Sequence, residues 1–139
     1  MNAKEYLKQY IYLKRKQEIY LTEHEIESRE LQNIKKYINM IPAKRRQEFE
    51  SRMKECIKFC NGLKDKAQSC EAIVNEIYAM IESIPGLEGE ILKLRYIDDM
   101  IWEDICEKVY YSWNTVFKEH NKALQIVEER LENKQHRES

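Results

Sequence analysis

The sequence predicts an all-α protein in which a long, coiled-coil-like antiparallel helical hairpin precedes a small domain of three short helices. Only three Gly and two Pro occur among its 139 residues, too few for the many turns of a sheet protein. Charged residues make up 35% of the chain, and apolar residues recur every three or four positions, as on one face of a helix. We place the hairpin at residues 1–84, the three-helix domain at 85–131 and a frayed tail at 132–139.

The first predicted helix runs from about Ala3 to Met40, where its apolar residues keep a heptad register. That register is carried by Tyr6, Tyr10, Leu13, Tyr20, Leu31, Ile34, Ile38 and Ile41, and is interrupted by Gln17, His24 and Glu27. Pro42 is excluded from a helix interior but suits a first turn, so we expect the break at Ile41–Pro42. A connection this short predicts that the next helix returns alongside the first.

The second predicted helix runs from about Lys44 to Ser83. Its seam consists of Phe49, Met53, Cys56, Cys60, Leu63, Ala67, Cys70, Val74, Ile77, Ile81 and Ile84. The seam keeps its phase across Asn61 and Gly62, which predicts one unbroken helix. We favour self-association through this hairpin, with the C-terminal domain or a partner helix as other ways to cover the seam. The remaining alternative is the core of a monomeric bundle.

The four cysteines lie at positions 56, 60, 70 and 106 without a C-x-x-C pair, and three of them belong to the seam. We interpret them as reduced packing residues rather than as metal ligands or disulfides, and we expect no cofactor. No apolar run approaches the roughly 18 to 20 residues that span a bilayer, and the opening residues lack a secretory apolar core. We therefore expect a cytoplasmic protein.

Charge is divided unequally along the chain. Residues 1–66 contain 16 Lys or Arg against 10 Asp or Glu, a balance of +6, and residues 67–139 contain 8 against 15, a balance of −7. Three adjacent cations, Lys44, Arg45 and Arg46, begin the second helix, where they oppose the helix dipole. Either a solvated turn or a contact with phosphate accounts for them.

Three short helices are predicted after Pro85 and Gly86, at about Leu87–Tyr96, Ile101–Val109 and Trp113–Leu131. Their expected core consists of Ile91, Leu92, Leu94, Ile105, Cys106, Val109, Val116, Ala123, Leu124 and Val127. Ser112 is well placed to cap the last helix, with its hydroxyl accepting the N–H of Asn114 or Thr115.

Three fragments of this segment occur in a recognisable order: L-K-L-R-Y-I-D at 92–98, W-E-D-I at 102–105 and Y-S-x-x-T-V-x-K-x-H-x-K-A-L at 111–124. In these residues the chain resembles region four of sigma factors and, more closely, phage-encoded transcriptional regulators of the RinA/ArpU type. The opening MNAKEYL and the long helical preface are also similar, so the likeness spans most of the chain. About 35 residues carry its specific part.

The resemblance implies a helix-turn-helix whose third helix enters the major groove of double-stranded DNA while the second crosses the phosphate backbone. The candidate DNA-binding residues are Ser112, Trp113, Asn114, Thr115, Lys118, Asn121 and Lys122. Once Val116 faces the core, the Asn and Lys side chains of this set lie on the outer face of the helix. Asn pairs with adenine, and Lys donates to guanine or phosphate.

Several of these residues have structural interpretations as well. Trp113 is equally suited to contact a thymine methyl or to cover the small core, and Lys118 and Lys122 are spaced as on any solvated helix face. We interpret Trp102 and His120 as packed residues. Tyr110 occupies a turn position where Gly is usual, because that position commonly requires a positive φ.

The leading functional hypothesis is a phage or prophage transcriptional regulator that binds DNA as a dimer. The alternative is a degenerate helix-turn-helix that contacts protein, such as RNA polymerase, and the acidic C-terminal half favours this second hypothesis. The three histidines lie far apart in sequence, with no Gly-rich phosphate loop, metal-ligand cluster or nucleophile motif beside them. We therefore expect no enzymatic activity.

Overall fold

The structure is a computed structural model that describes residues 1–138, and every regular element in that range is helical. The α-helices in this range are α1 (Ala3–Tyr37), α2 (Ala43–Glu82), α3 (Gly86–Leu92), α4 (Trp102–Val109) and α5 (Trp113–Glu138). A 3-10 turn at Ile38–Met40 follows α1, and α3 continues as a π-helical turn at Lys93–Ile97. The all-α prediction is confirmed. Within the same range no helix combines the length and the apolarity needed to cross a membrane.

The connection between α1 and α2 has the form that Pro42 imposes. Ile41 is extended, with φ −88° and ψ 135°, because a following proline ring disfavours the helical region. The Pro42 carbonyl then accepts the N–H of Arg45 at 2.9 Å and that of Arg46 at 3.2 Å. The predicted break at Ile41–Pro42 is confirmed.

α2 passes through Asn61 and Gly62 without interruption, as its continuous heptad register predicted. Phe49 and Met53 at the start of the seam are half-buried. The other seam residues are buried, namely Cys56, Cys60, Leu63, Ala67, Cys70, Val74, Ile77, Ile81 and Ile84. The sequence therefore located the covered face of this helix correctly.

The chain divides into two compact units. One unit contains residues 14–71, and the other contains residues 1–13 together with the chain from Ala72 onward. The expected domain boundary at residue 84 stays a prediction. We refer below to the 14–71 unit and to the terminal unit.

Within the 14–71 unit, contacts join α1 to α2 at successive levels. The Lys66 ammonium lies 5.7 Å from the Tyr20 ring centroid, Cys56 Sγ lies 3.4 Å from the Glu27 carbonyl oxygen, and Arg52 Nη2 lies 3.1 Å from Glu30 Oε1. Along this series the residue number in α1 rises as the number in α2 falls.

The larger core of the terminal unit brings the two ends of the chain together. Leu7 of α1, Ile77 and Ile81 of α2 and Val127 of α5 are each at most 2% exposed and belong to one cluster. Leu92, Ala123 and Val127, predicted as part of a three-helix core, belong to this cluster as well. The predicted core is therefore continued by residues of α1 and α2, in agreement with the alternative in which the C-terminal domain covers part of the seam.

A smaller core joins α3, the π-helical turn, α4 and α5. Its buried members are Ile91, Leu94, Ile105, Val109 and Val116, all of them predicted core residues. Cys106 packs against this cluster and is only half-buried. The sequence thus identified the side chains that seal one face of α5.

α5 continues to Glu138, beyond its predicted end at Leu131 and through the segment that was expected to fray. Lys134 donates to a carboxylate oxygen of Glu76 in α2, and Arg130 donates to the hydroxyl of Ser83. These contacts fasten the last turns of the helix to the end of α2. The charged composition of the segment had suggested a free tail, but its Glu, Lys, Gln and Arg residues also favour helix.

Candidate nucleic-acid interface

A three-residue turn joins α4 to α5. Its first residue, Tyr110, adopts the left-handed conformation, with φ 60° and ψ 36°. The sequence predicted a positive φ here, because glycine is usual at this turn position. A non-glycine residue in this conformation costs about 1 kcal/mol. The Tyr110 side chain is 92% exposed, so packing of its ring does not offset that cost.

Ser112 caps α5 as predicted. Its Oγ accepts the backbone N–H of Thr115 at 3.4 Å, and its carbonyl oxygen accepts that of Val116 at 2.9 Å. The hydroxyls of Ser112 and Thr115 also lie 3.1 Å apart in a mutual hydrogen bond. Each hydroxyl therefore already has a partner, and Thr115 is in addition half-buried.

The face of α5 that turns away from the core is polar. Asn114, Lys118 and Asn121 are exposed, and Gln125 continues the row at the same helical spacing. On the opposite face Val116, Ala123 and Val127 are fully buried. The sequence predicted the first three exposed positions and omitted Gln125, although the helical period that placed Asn121 also places Gln125 in the row.

Lys122 is exposed but is not free of other charges. Its ammonium lies 3.4 Å from a carboxylate oxygen of Glu119, and 53% of the Lys122 side chain remains accessible. An exposed pair of this kind contributes little to stability. It does reduce the positive charge that Lys122 presents to an anion, so Lys118 is the stronger candidate for a phosphate or base contact.

Aromatic rings flank the first turns of α5. The Trp102 ring centroid lies 4.8 Å from that of Phe117, which in turn lies 5.5 Å from that of Trp113. Trp113 covers one side of Phe117 and leaves 45% of its own surface exposed. Its position is compatible with both interpretations offered above, a cover on the core and a contact surface.

Trp102 is half-buried against the small core, as predicted. Arg95, which the sequence did not single out, places its guanidinium carbon 4.7 Å from the Trp102 ring centroid and donates to the Met100 carbonyl at 2.9 Å. This cation–π contact fixes the indole beside α5.

His120 is packed inside the terminal unit, as predicted. It is 4% exposed, its Nε2 lies 2.8 Å from the Tyr96 hydroxyl, and its ring meets Trp102 edge-on at 4.7 Å. Burial, together with the positive charges of Lys4 and Arg95, lowers the pKa of His120 to about 4. The imidazole is therefore neutral at physiological pH and supplies no charge to the surface of α5.

The segment that contains the polar row carries net negative charge. Glu103, Asp104 and Glu107 are exposed on α4, and residues 85–125 contain five Lys or Arg against eight Asp or Glu, a balance of −3. Phosphate binding requires the opposite sign. The exposed amide and ammonium groups of α5 therefore belong to a segment whose net charge disfavours a polyanion.

The cysteines are free thiols, and Cys56, Cys60 and Cys70 are buried. Burial, with Cys60, Glu27 and Glu30 nearby, raises the pKa of Cys56 to about 11. Among residues 1–138, no group of three or more His, Cys, Asp or Glu side chains is arranged to hold a metal ion. The three seam cysteines are buried on the covered face of α2, where packing residues were predicted.

Comparisons with protein-family models, with curated proteins and with solved structures found no match to this chain.

Proposed function

We propose that this chain is a sequence-specific DNA-binding transcriptional regulator of the phage or prophage type, cytoplasmic and without catalytic activity. In this proposal α4, the turn at Tyr110 and α5 form a helix-turn-helix, and α5 enters the major groove of double-stranded DNA. The observation that carries the proposal is the exposed row of Asn114, Lys118, Asn121 and Gln125. Amide and ammonium groups in this spacing suit the donor and acceptor pattern of base edges.

The local geometry supports the helix-turn-helix interpretation. α4 is eight residues long and ends at a left-handed residue, and α5 begins three residues later with a serine cap. The small core of Ile105, Val109 and Val116 fastens α4 against α5. A helix that contacts DNA bases needs such support, because base contacts tolerate little movement of the side chains that make them.

Selection of binding duplexes from a random double-stranded library tests the proposal. We expect the wild-type protein to enrich a common sequence at low salt, and the variant N114A/K118A to bind that sequence more weakly. Each lost base contact costs about 1–3 kcal/mol of discrimination.

The matched control is N75A/K64A, which also removes one Asn and one Lys from exposed helical positions and should leave the enrichment unchanged. The proposal fails if the wild-type protein enriches nothing at low salt. It also fails if N114A/K118A enriches the same sequence as strongly as the wild type.

We further propose that residues 14–71 form an antiparallel helical hairpin through which two copies associate. The contacts of Tyr20, Glu27 and Glu30 with α2 support the hairpin. Ile19 and Ile26 support association, because they are exposed on α1 and their spacing of seven residues puts them on one side of the helix. A dimer would contain two copies of α5, as proteins that bind two DNA half-sites do.

The second candidate function is that of a protein-interaction module with RNA polymerase as its partner. The exposed carboxylates of α4 favour it, because a helix-turn-helix would bring that helix toward DNA phosphates. The exposed rings of Tyr110 and Tyr111 favour it as well, since tyrosine is enriched in protein interfaces. Capture of purified RNA polymerase without DNA, lost in Y110A/Y111A and retained in N114A/K118A, would decide for this candidate.

A further inference from the structure

We propose that the connection between α1 and α2 is a second DNA contact, which binds the phosphate backbone irrespective of sequence. We call residues 35–46 the basic connector. The inference rests on the proposed DNA-binding function and adds to it the source of the attraction that the acidic surface around α5 lacks. In this inference the 14–71 unit provides affinity for the DNA backbone, and α5 provides the discrimination between DNA sequences.

The basic connector concentrates positive charge. Its cations are Lys35, Lys36, Lys44, Arg45 and Arg46, all of them exposed. No Asp or Glu occurs between positions 31 and 47, and none of the five cations forms an ion pair with a carboxylate in the described part of the chain. Within residues 1–138, Arg46 Nη2 donates to the Ile41 carbonyl at 3.4 Å, and the Lys36 ammonium lies 5.6 Å from the Tyr37 ring centroid.

Helix stability does not account for the three adjacent cations at the start of α2. Lys44, Arg45 and Arg46 lie in the first turn of α2, which contains no acidic residue, so their charges oppose the helix dipole and weaken the helix end. Elsewhere in the same unit, Arg29 pairs with Glu25 and Arg52 with Glu30. A charge arrangement that destabilises its own helix and remains unpaired is suited to an external anion.

The chemistry of the connector fits a nucleic-acid backbone. Guanidinium groups form paired hydrogen bonds with phosphate oxygens, and lysine adds point charges that displace condensed counterions. An anionic membrane is the competing polyanion. Ile38 and Ile41 are half-buried, which leaves Met40, at 75% exposure, and half of Tyr37 as the large apolar side chains that the connector offers to lipid. That apolar surface is small compared with the face of a membrane-bound helix.

The test compares two triple variants of α2 that remove the same number of charges. K44Q/R45Q/R46Q removes cations from the connector, and K54Q/K58Q/K64Q removes exposed lysines from the middle of the same helix. Binding to a labelled duplex of the selected sequence and to one of scrambled sequence is measured by fluorescence anisotropy over a series of salt concentrations. Circular dichroism verifies that both variants keep the wild-type helix content.

For the connector variant we expect binding to both duplexes to fall at least about tenfold at low salt, with the preference for the selected sequence retained. The slope of log affinity against log salt should flatten by about 2 to 3, since each phosphate contact contributes about 0.9. The lysine control should change the affinity and the slope much less. Vesicles of phosphatidylcholine and phosphatidylserine should bind wild type and connector variant alike.

Three results with these variants would overturn the inference. The first is an equal loss of binding in the two triple variants, which would mean that net charge alone matters. The second is a connector variant that binds DNA as the wild type does. The third is a connector variant that loses vesicle binding and keeps DNA binding, which would identify the connector as a membrane contact.

The same measurements separate this inference from the proposed function. If N114A/K118A loses sequence preference while the connector variant is unaffected, the proposed function stands and this inference fails. If the wild type binds no duplex at low salt, both fail.

Discussion

His120 shows how one buried side chain couples the stability of the terminal unit to pH. The ring is neutral in the folded protein because burial lowers its pKa to about 4, and in the unfolded chain the pKa returns to about 6.5. Between about pH 6.5 and pH 4, His120 of the unfolded chain binds a proton that the folded protein excludes. The stabilisation from the neutral ring is therefore complete above about pH 6.5 and is lost as the pH falls toward 4.

We predict that substitution His120→Gln removes this dependence. The free energy of unfolding of the wild type, measured by urea denaturation, should fall relative to that of the variant by up to about 3 kcal/mol between about pH 7 and pH 4. Carboxylates titrate in both proteins, so only the difference between them reports on His120. The exposed His136→Gln serves as the control. If the free energies of unfolding of wild type and H120Q differ by the same amount across this pH range, the prediction is contradicted.

The burial or exposure of individual α5 side chains could be predicted from the sequence, because the regular period of the helix decides which of them face the core. Val116 and Asn114 lie on opposite sides of a regular helix whatever surrounds it, and the structure has one buried and the other exposed. Arg95 could not be placed in this way. Its contact with Trp102 depends on the π-helical turn that precedes α4, and no local pattern indicated that turn.

At the scale of elements, the passage from α2 to α3 depends on two glycines. Gly86 follows Pro85 with φ 78°, a conformation that L side chains seldom adopt. At Gly89, an added Cβ would lie 1.8 Å from the Ile84 carbonyl oxygen. The start of α3 can therefore pack directly on the end of the α2 seam only because position 89 has no side chain.

We predict opposite effects for two Gly→Ala substitutions. G89A should destabilise the protein by about 1–3 kcal/mol, because the new methyl meets backbone that must shift. G62A, inside α2 with nothing within 4 Å of the added Cβ, should stabilise it by about 0.5–1 kcal/mol through higher helix propensity. Chemical denaturation of both variants beside the wild type measures the two shifts. Equal effects of the same sign would exclude this account of the α2–α3 junction.

Helix boundaries were predictable where a residue enforces them. Pro42 and the pair Pro85–Gly86 have fixed or unusual backbone angles. The chain is interrupted at residues 41–42, and residues 83–85 separate the end of α2 from the start of α3 at Gly86. The end of α5 carries no such residue. The extended part contacts Glu76 of α2 through Lys134, a partner that is distant in sequence, and composition alone suggested a shorter helix.

At the scale of the whole molecule, the heptad pattern predicted which faces of α1 and α2 are covered but not what covers them. In the terminal unit the covering partner is α5, which belongs to the C-terminal domain, one of the three coverings that the sequence left open and not the self-association that it favoured. Ala3 and Leu7 were not identified as core residues, although both are buried. They contribute to a core assembled from distant parts of the chain, and a local period does not reveal such a core.

We predict that the exposed apolar side of α1 holds two copies together. I19K/I26K should shift the protein from dimer to monomer, with dimer affinity lowered by about a hundredfold or more, because each copy loses two apolar contacts and gains two like charges. Size-exclusion chromatography with light scattering measures the mass. Ile101→Lys, which changes an exposed isoleucine of the terminal unit, is the control and should remain dimeric. A monomeric wild type at high concentration would refute the prediction.

The hydrogen bond from the Ala3 N–H to the Glu128 carboxylate, at 2.8 Å, has a consequence for biosynthesis. A ribosome adds about 5 to 20 residues per second, so the opening turns of α1 wait for about 6 to 24 seconds before their α5 partners have been translated. During that interval Leu7 has no native cover from α5 and is available to chaperones. The terminal unit can therefore close only after α5 has been translated.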